Sequence, residues 1–226
     1  MKTHGVELGY TEDEMATVFE HRLRSRRSLR GIGRFSKIFR EVECHRGRPD
    51  FVGIISRGKP NELRHQSSHN VASARVLSLL KKRSPRSLSS LTQQMDMKAQ
   101  TVRHALRQLE ASGLVEELAN GSFILSGGSA IFEIETTAFE LKLKNPRRAV
   151  FQAQQYTLFA QQVWIVVPPS QAQTYDAYRA VLARWGIGLA TFSPRSHRFT
   201  PIISARRHAP GSREHQAYAM LRLVGA

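Results

Sequence analysis

Cysteine is nearly missing from this chain. Cys44 is the only one, so no internal disulfide can form and no cysteine-rich zinc site is available. Long apolar runs are missing too: none approaches the roughly 20 residues a membrane-spanning helix needs. The N-terminus lacks the pattern of a secretory signal, so the expected location is the cytoplasm and no membrane partner is expected. Acid is scarce. Against 18 Asp and Glu stand 34 Lys and Arg, a formal net charge of +16, which points to a polyanionic partner with nucleic acid first among them. The hydrophobic content, 41% of 226 residues, is ordinary for a globular chain and sufficient for one large domain or two small ones.

What is present gathers between Ala138 and Tyr156. The alternation Ala-Phe-Glu-Leu-Lys-Leu suits a strand with Phe139, Leu141 and Leu143 on one face, so that Glu140 and Lys142 emerge together on the other. After the Asn145-Pro146 break, residues 147–161 read as a helix on which Gln152 and Tyr156, four apart, share a face. Upstream, Gly47-Arg48-Pro49-Asp50 places a second carboxylate ahead of the apolar run Phe51 to Ile55, expected to pair antiparallel with residues 38–43. Taken singly, each piece has a bland reading. Asp50 would be a turn aspartate, and Glu-x-Lys arises by chance in many chains.

In that order, Gly-x-x-Asp, Glu-x-Lys and Gln-x-x-x-Tyr resemble the PD-(D/E)XK nuclease superfamily, the last motif pointing to its RecB-like exonuclease branch. The resemblance implies an α/β fold of the restriction-endonuclease-like kind, a mixed sheet flanked by helices, and metal-dependent hydrolysis of phosphodiesters. It implies that Asp50, Glu140 and the backbone carbonyl of Leu141 hold one or two Mg²⁺ ions, with Mn²⁺ as a substitute, since hard cations prefer oxygen ligands. Lys142 would orient and help deprotonate the attacking water. Gln152 and Tyr156 would position the substrate strand or support the metal site, although helix packing explains Tyr156 equally well. Members often carry an acid on the first helix. The expected helix over residues 10–27, capped by Thr11 with Glu14, offers Glu20 beside the stripe Met15, Val18, Phe19 and Leu23; a solvated glutamate is the plain alternative. Glu135, in an alternating stretch over residues 130–136, could replace or supplement Glu140 at the metal.

One departure is large: Asp50 and Glu140 stand much further apart than a hairpin requires. Residues 57–70 read as a linker, and different patterning follows. Residues 72–82, a short segment from Ser87 to Met95, and residues 99–112 read as three helices, the last ended by Gly113. Residues 114–118 and 122–125 then flank Asn120-Gly121, a favoured hairpin turn. This resembles a winged helix-turn-helix domain of the sort found in bacterial regulators. It implies that the third helix enters the major groove, presenting Lys98, Gln100, Thr101, Arg103, His104 and Arg107 to DNA, expected double-stranded. Glu116 and Glu117 at the wing would repel phosphate, so a structural brace is the competing reading.

The expected organisation is therefore a nuclease core in two parts, residues 1–67 and 127–226, with residues 68–126 inserted and residues 126–129 as the return linker. Residues 163–168 read as a strand buried on both faces, 171–184 as an amphipathic helix, and 188–192 as the last core strand. Nothing decides whether the basic tail from Pro194 folds. Ten Lys or Arg between Arg22 and Arg48 suit a phosphate-tracking groove, while His45 and His65 lack partners at metal-ligand spacing. The expected activity is that of a metal-dependent deoxyribonuclease, an endonuclease by preference, with exonucleolytic cutting and a homodimer left open. The rival is a winged-helix transcriptional regulator whose nuclease-like part is a non-cutting scaffold.

Overall fold

The structure, a computed structural model, describes residues 9–25, 29, 31–55, 70–127 and 131–224. The expected linker over residues 57–70 lies outside them except for Asn70, as do Arg26, Arg27, Arg30, His65 and residues 128–129 of the return linker.

Helix α1 (Glu12–Arg24) begins as expected at Thr11, whose hydroxyl accepts from the Glu14 amide while the Glu14 carboxylate accepts from the Thr11 amide. Strands β1 (Lys37–Arg40) and β2 (Phe51–Ile55) form an antiparallel pair, and β2 pairs antiparallel with β6 (Glu135–Leu141). Between β2 and β6 in the chain come α2 (Val71–Leu79), β3 (Arg86–Ser87), α3 (Leu88–Met95), α4 (Ala99–Ala111), β4 (Val115–Glu117) and β5 (Ser122–Leu125). Helix α5 (Pro146–Tyr156) carries the chain from β6 to its parallel neighbour β7 (Gln162–Val167), and β8 (Gly188–Ser193) extends the parallel set. β9 (Arg198–Ile203) closes the edge antiparallel to β8, and α7 (Arg213–Val224) follows. A 3₁₀ segment (Pro169–Tyr178) and α6 (Arg179–Trp185) join β7 to β8. The molecule is thus mixed α/β, with a six-stranded sheet in the order β1-β2-β6-β7-β8-β9 and a separate three-stranded sheet in the order β3-β5-β4.

The alternation of side chains along β6 divides the core. Phe139 and Leu141 join Met15, Phe19 and Leu23 of α1, with Phe51, Trp164, Val166 and Phe192, on one side of the sheet. Ala138 joins Val52, Val163, Ile165 and Leu189 on the other side, against Ala149, Val150 and Ala153 of α5. That second cluster continues without a break through Met220 and Leu223 of α7 to Ala74, Val76, Leu77, Leu91, Val102 and Leu109 of the small helical unit. Helix α7 lies against α2. The basic tail therefore folds, and its helix packs on α2 of the small unit.

Several boundaries differ from expectation. The sheet resumes at Glu135 rather than residue 130, because residues 131–133 turn; α5 stops at Tyr156; and residues 171–184 are split between 3₁₀ and α-helix. β8 is not the last strand, since β9 pairs along it. β3, only two residues long, adds a third strand to the expected hairpin.

Candidate active site and nucleic-acid interface

Register brings the separated motifs together. Phe51 stands opposite Phe139 and Val52 opposite Ala138, so one step further Asp50 lies opposite Glu140 across 90 residues of sequence. Asp50 Oδ2 accepts a 2.6 Å hydrogen bond from the Leu141 amide. A strand residue directs its N–H and C=O to the same neighbour, so the Leu141 carbonyl faces the Asp50 side as well.

Glu140 is 1% exposed. Its Oε2 accepts from the Tyr156 hydroxyl at 2.6 Å, and its Oε1 stands 3.0 Å from Lys142 Nζ. That second contact is an ion pair without hydrogen-bond direction, so Oε1 is buried with no directed donor. Lys142 also donates to Glu12 Oε1 at 2.8 Å, and the Leu143 amide donates to Glu12 Oε2 at 3.3 Å. Gln152 stands one turn before Tyr156 on the same face of α5, and its Oε1 is buried without a hydrogen-bond partner. The Gly-x-x-Asp glycine has a visible purpose. At Gly47 (φ +120°) an added Cβ would come within 2.9 Å of the Tyr156 ring, and that backbone region favours glycine.

Electrostatics follow from this crowding. Burial pushes the Glu140 carboxyl up to about 7, Asp50 adds to the rise, and Lys142 and Tyr156 oppose it. Asp50 is also raised by burial, against the pull of the Leu141 amide and Lys142. Burial works against the Lys142 ammonium, but Glu140, Glu12 and Asp50 outweigh it and the group is held more basic than usual. The Tyr156 hydroxyl is raised by burial and by Glu140, so it stays a proton donor.

Asp50, Glu140, Lys142, Gln152 and Tyr156 therefore converge, with Leu141 between them. Glu20 does not. Its carboxylate is bound by Arg24 at 2.8 Å and lies 3.9 Å from Arg40, because eight helical residues separate it from Glu12, about 12 Å along the axis. The first-helix acid at the cluster is Glu12, which the sequence does not single out among three first-turn acids of the kind that favour helix N-termini. Glu135 is also elsewhere: five strand residues, about 16 Å, separate it from Glu140, and it is paired with Arg207. The proposed basic groove is partly neutralised, since Arg24, Arg40 and Arg48 are engaged by Glu20, Asp13 and Glu41 respectively. His45 packs at a tilt against His215 and Tyr218 of α7, at ring separations of 5.0 and 5.2 Å. Among the described residues no group of three or more His, Cys, Asp or Glu gathers as a metal site.

The small unit carries the other candidate interface. Val102, Ala105, Leu106 and Leu109 of α4 are buried, which leaves Gln100, Thr101, Arg103, His104 and Arg107 exposed with Lys98 at the N-cap. Glu116 and Glu117 are exposed on β4. Residues 72–117 match the helix-turn-helix domain family, a span of 46 residues within the 226. No curated protein and no solved structure matches the chain. Among the described residues no helix is long and apolar enough to cross a membrane.

Proposed function

We propose that this chain is a metal-dependent deoxyribonuclease of the PD-(D/E)XK kind, engaging duplex DNA through the exposed face of α4. One observation carries the reading. A buried Glu140 shares its surroundings with Asp50, Lys142 and Tyr156, although nothing in the packing of an α/β sheet calls for ionisable groups there. Burying such a set costs several kcal/mol relative to apolar side chains of similar size, and perturbed groups of this sort concentrate at functional sites.

The donor set suits Mg²⁺ or Mn²⁺. Asp50, Glu140 and the Leu141 carbonyl supply hard oxygens on one side of the sheet, and Glu140 Oε1 lacks a directed donor. Two carboxylates and a carbonyl leave positions for water, as Mg²⁺ prefers. When bound, the ion would supply charge stabilisation at the phosphate and a more acidic water. The chain's own residues would hold and orient. Lys142, fixed between Glu12 and Glu140, presents an ammonium beside the place where water and phosphate meet. Tyr156 fixes the Glu140 rotamer through its hydroxyl, and Gln152 stands beside it with a free buried oxygen.

The helix-turn-helix match over residues 72–117 also suits a second reading, a regulator that binds DNA without cutting. Purified protein incubated with plasmid and linear DNA, in Mg²⁺ or in EDTA, separates the two. Nicking or linearisation that EDTA abolishes supports the nuclease; intact DNA with retained duplex binding supports the regulator.

A further inference from the structure

Phe151 is 61% exposed, against 37–44% for the other large apolar side chains open to solvent among the described residues. It is not a stray surface residue on a mixed face. At 100° per residue, the outer arc of α5 runs Gln154, Arg147, Phe151, Gln155, Arg148, so the ring sits between two exposed arginines with Lys144 just ahead of the helix. Helix α5 contains no acid at all, and Lys144, Arg147 and Arg148 make no ion pair with a described residue. The same helix turns Gln152 and Tyr156 inward toward Glu140. Its N-terminus begins four residues after Lys142.

We propose that Phe151, with Lys144, Arg147 and Arg148, forms a stacking platform for an unpaired base of a nucleic-acid strand that runs over the outer face of α5. The charge selects a polyanion, and the flat ring selects what a polyanionic strand adds to its phosphates: the face of a base. Bases within a duplex are already stacked on their neighbours, so an exposed ring discriminates toward single-stranded or frayed segments. The inference rests on the nuclease reading for the course of the strand past the site, and it narrows the substrate to DNA that is unpaired on one side of the cut.

The test uses the full chain in EDTA, with a fluorescent oligothymidylate of about 15 nucleotides, within the range one such site spans, and a blunt duplex of equal length. Phe151→Ala and Phe151→Leu should each weaken single-strand binding by roughly 5- to 100-fold and change duplex binding by less than about twofold. Phe151→Trp should retain binding, and its added indole fluorescence should be quenched by the bound strand. Single-strand affinity unchanged in Phe151→Ala overturns the proposal. So does full affinity in Phe151→Leu, which would mark a merely apolar contact better suited to a protein partner. Because no cutting is measured, a wild type that never cleaves DNA but shows these losses would sink the nuclease reading and leave the platform standing.

Discussion

At the scale of single residues, Glu140 is the group on which most of the chemistry converges. Its folded-state pKa, raised to about 7 chiefly by burial, exceeds that of a free glutamate, so without metal the folded state binds the proton more tightly than the unfolded chain does. Stability then falls as pH rises from about 4.5 to 7, and is flat above, by an amount on the order of 3 kcal/mol for this group. Asp50 shifts in the same sense. In EDTA, Glu140→Gln should therefore gain melting temperature over wild type between pH 5 and 8 and not below pH 4.5; parallel curves for the two proteins would contradict the burial argument. A divalent cation relieves the same penalty by a different route. Mg²⁺ or Mn²⁺ should raise the melting temperature of the wild type, and Asp50→Ala should abolish the rise. An equal metal response in Asp50→Ala would remove Asp50 from the proposed ligand set.

At the scale of elements, the site depends on how a turn, a strand and a helix meet. The turn between β1 and β2 brings Gly47 under the Tyr156 ring, so Gly47→Ala must move α5 or the turn and loosen the hydrogen bond that holds Glu140. We expect a loss of roughly 1 to 3 kcal/mol in stability, from overpacking and backbone strain together, read by denaturant midpoint, with activity falling further than stability alone explains. Helix α4 makes a separate prediction. Arg103→Ala with Arg107→Ala should weaken duplex binding by roughly 1 to 3 kcal/mol for each base-reading side chain removed, as gel shift would show, while the Mg²⁺-induced rise in melting temperature stays intact. Normal duplex binding would reduce the helical unit to a brace.

At the scale of the whole molecule, much of the arrangement is legible in the sequence because it is periodic or local. Alternation placed Glu140 and Lys142 on one face, the four-residue spacing placed Gln152 beside Tyr156, and the change from strand to helical patterning marked the segment lying between β2 and β6. What escaped is long-range or weakly patterned. Glu12 sits among three consecutive acids and reads as helix-end charge; only the docking of α1 against the end of β6 selects it over Glu20. Helix α7 shows polar and apolar residues without a clean stripe, because it is covered by α2 and also by His45 of the β1–β2 turn rather than lying on one surface. The two-residue β3 is too short to carry any signal.

For the whole molecule we propose that DNA is gripped by one part of the chain and cut by another. Lys142 is the point where the two can be separated, since it contacts Glu12 and Glu140 but supplies neither a metal oxygen nor a residue of α4. Lys142→Gln keeps a donor for both carboxylates while removing the charge, and a melting curve confirms that the variant folds. Cleavage of plasmid DNA in Mg²⁺, measured beside a gel shift on the same preparation, is the most direct test. The account predicts wild-type duplex binding in Lys142→Gln with cutting reduced by at least about 100-fold, the scale expected when a charge-stabilising or proton-transfer group is removed. Cutting at the wild-type rate in this variant would contradict it.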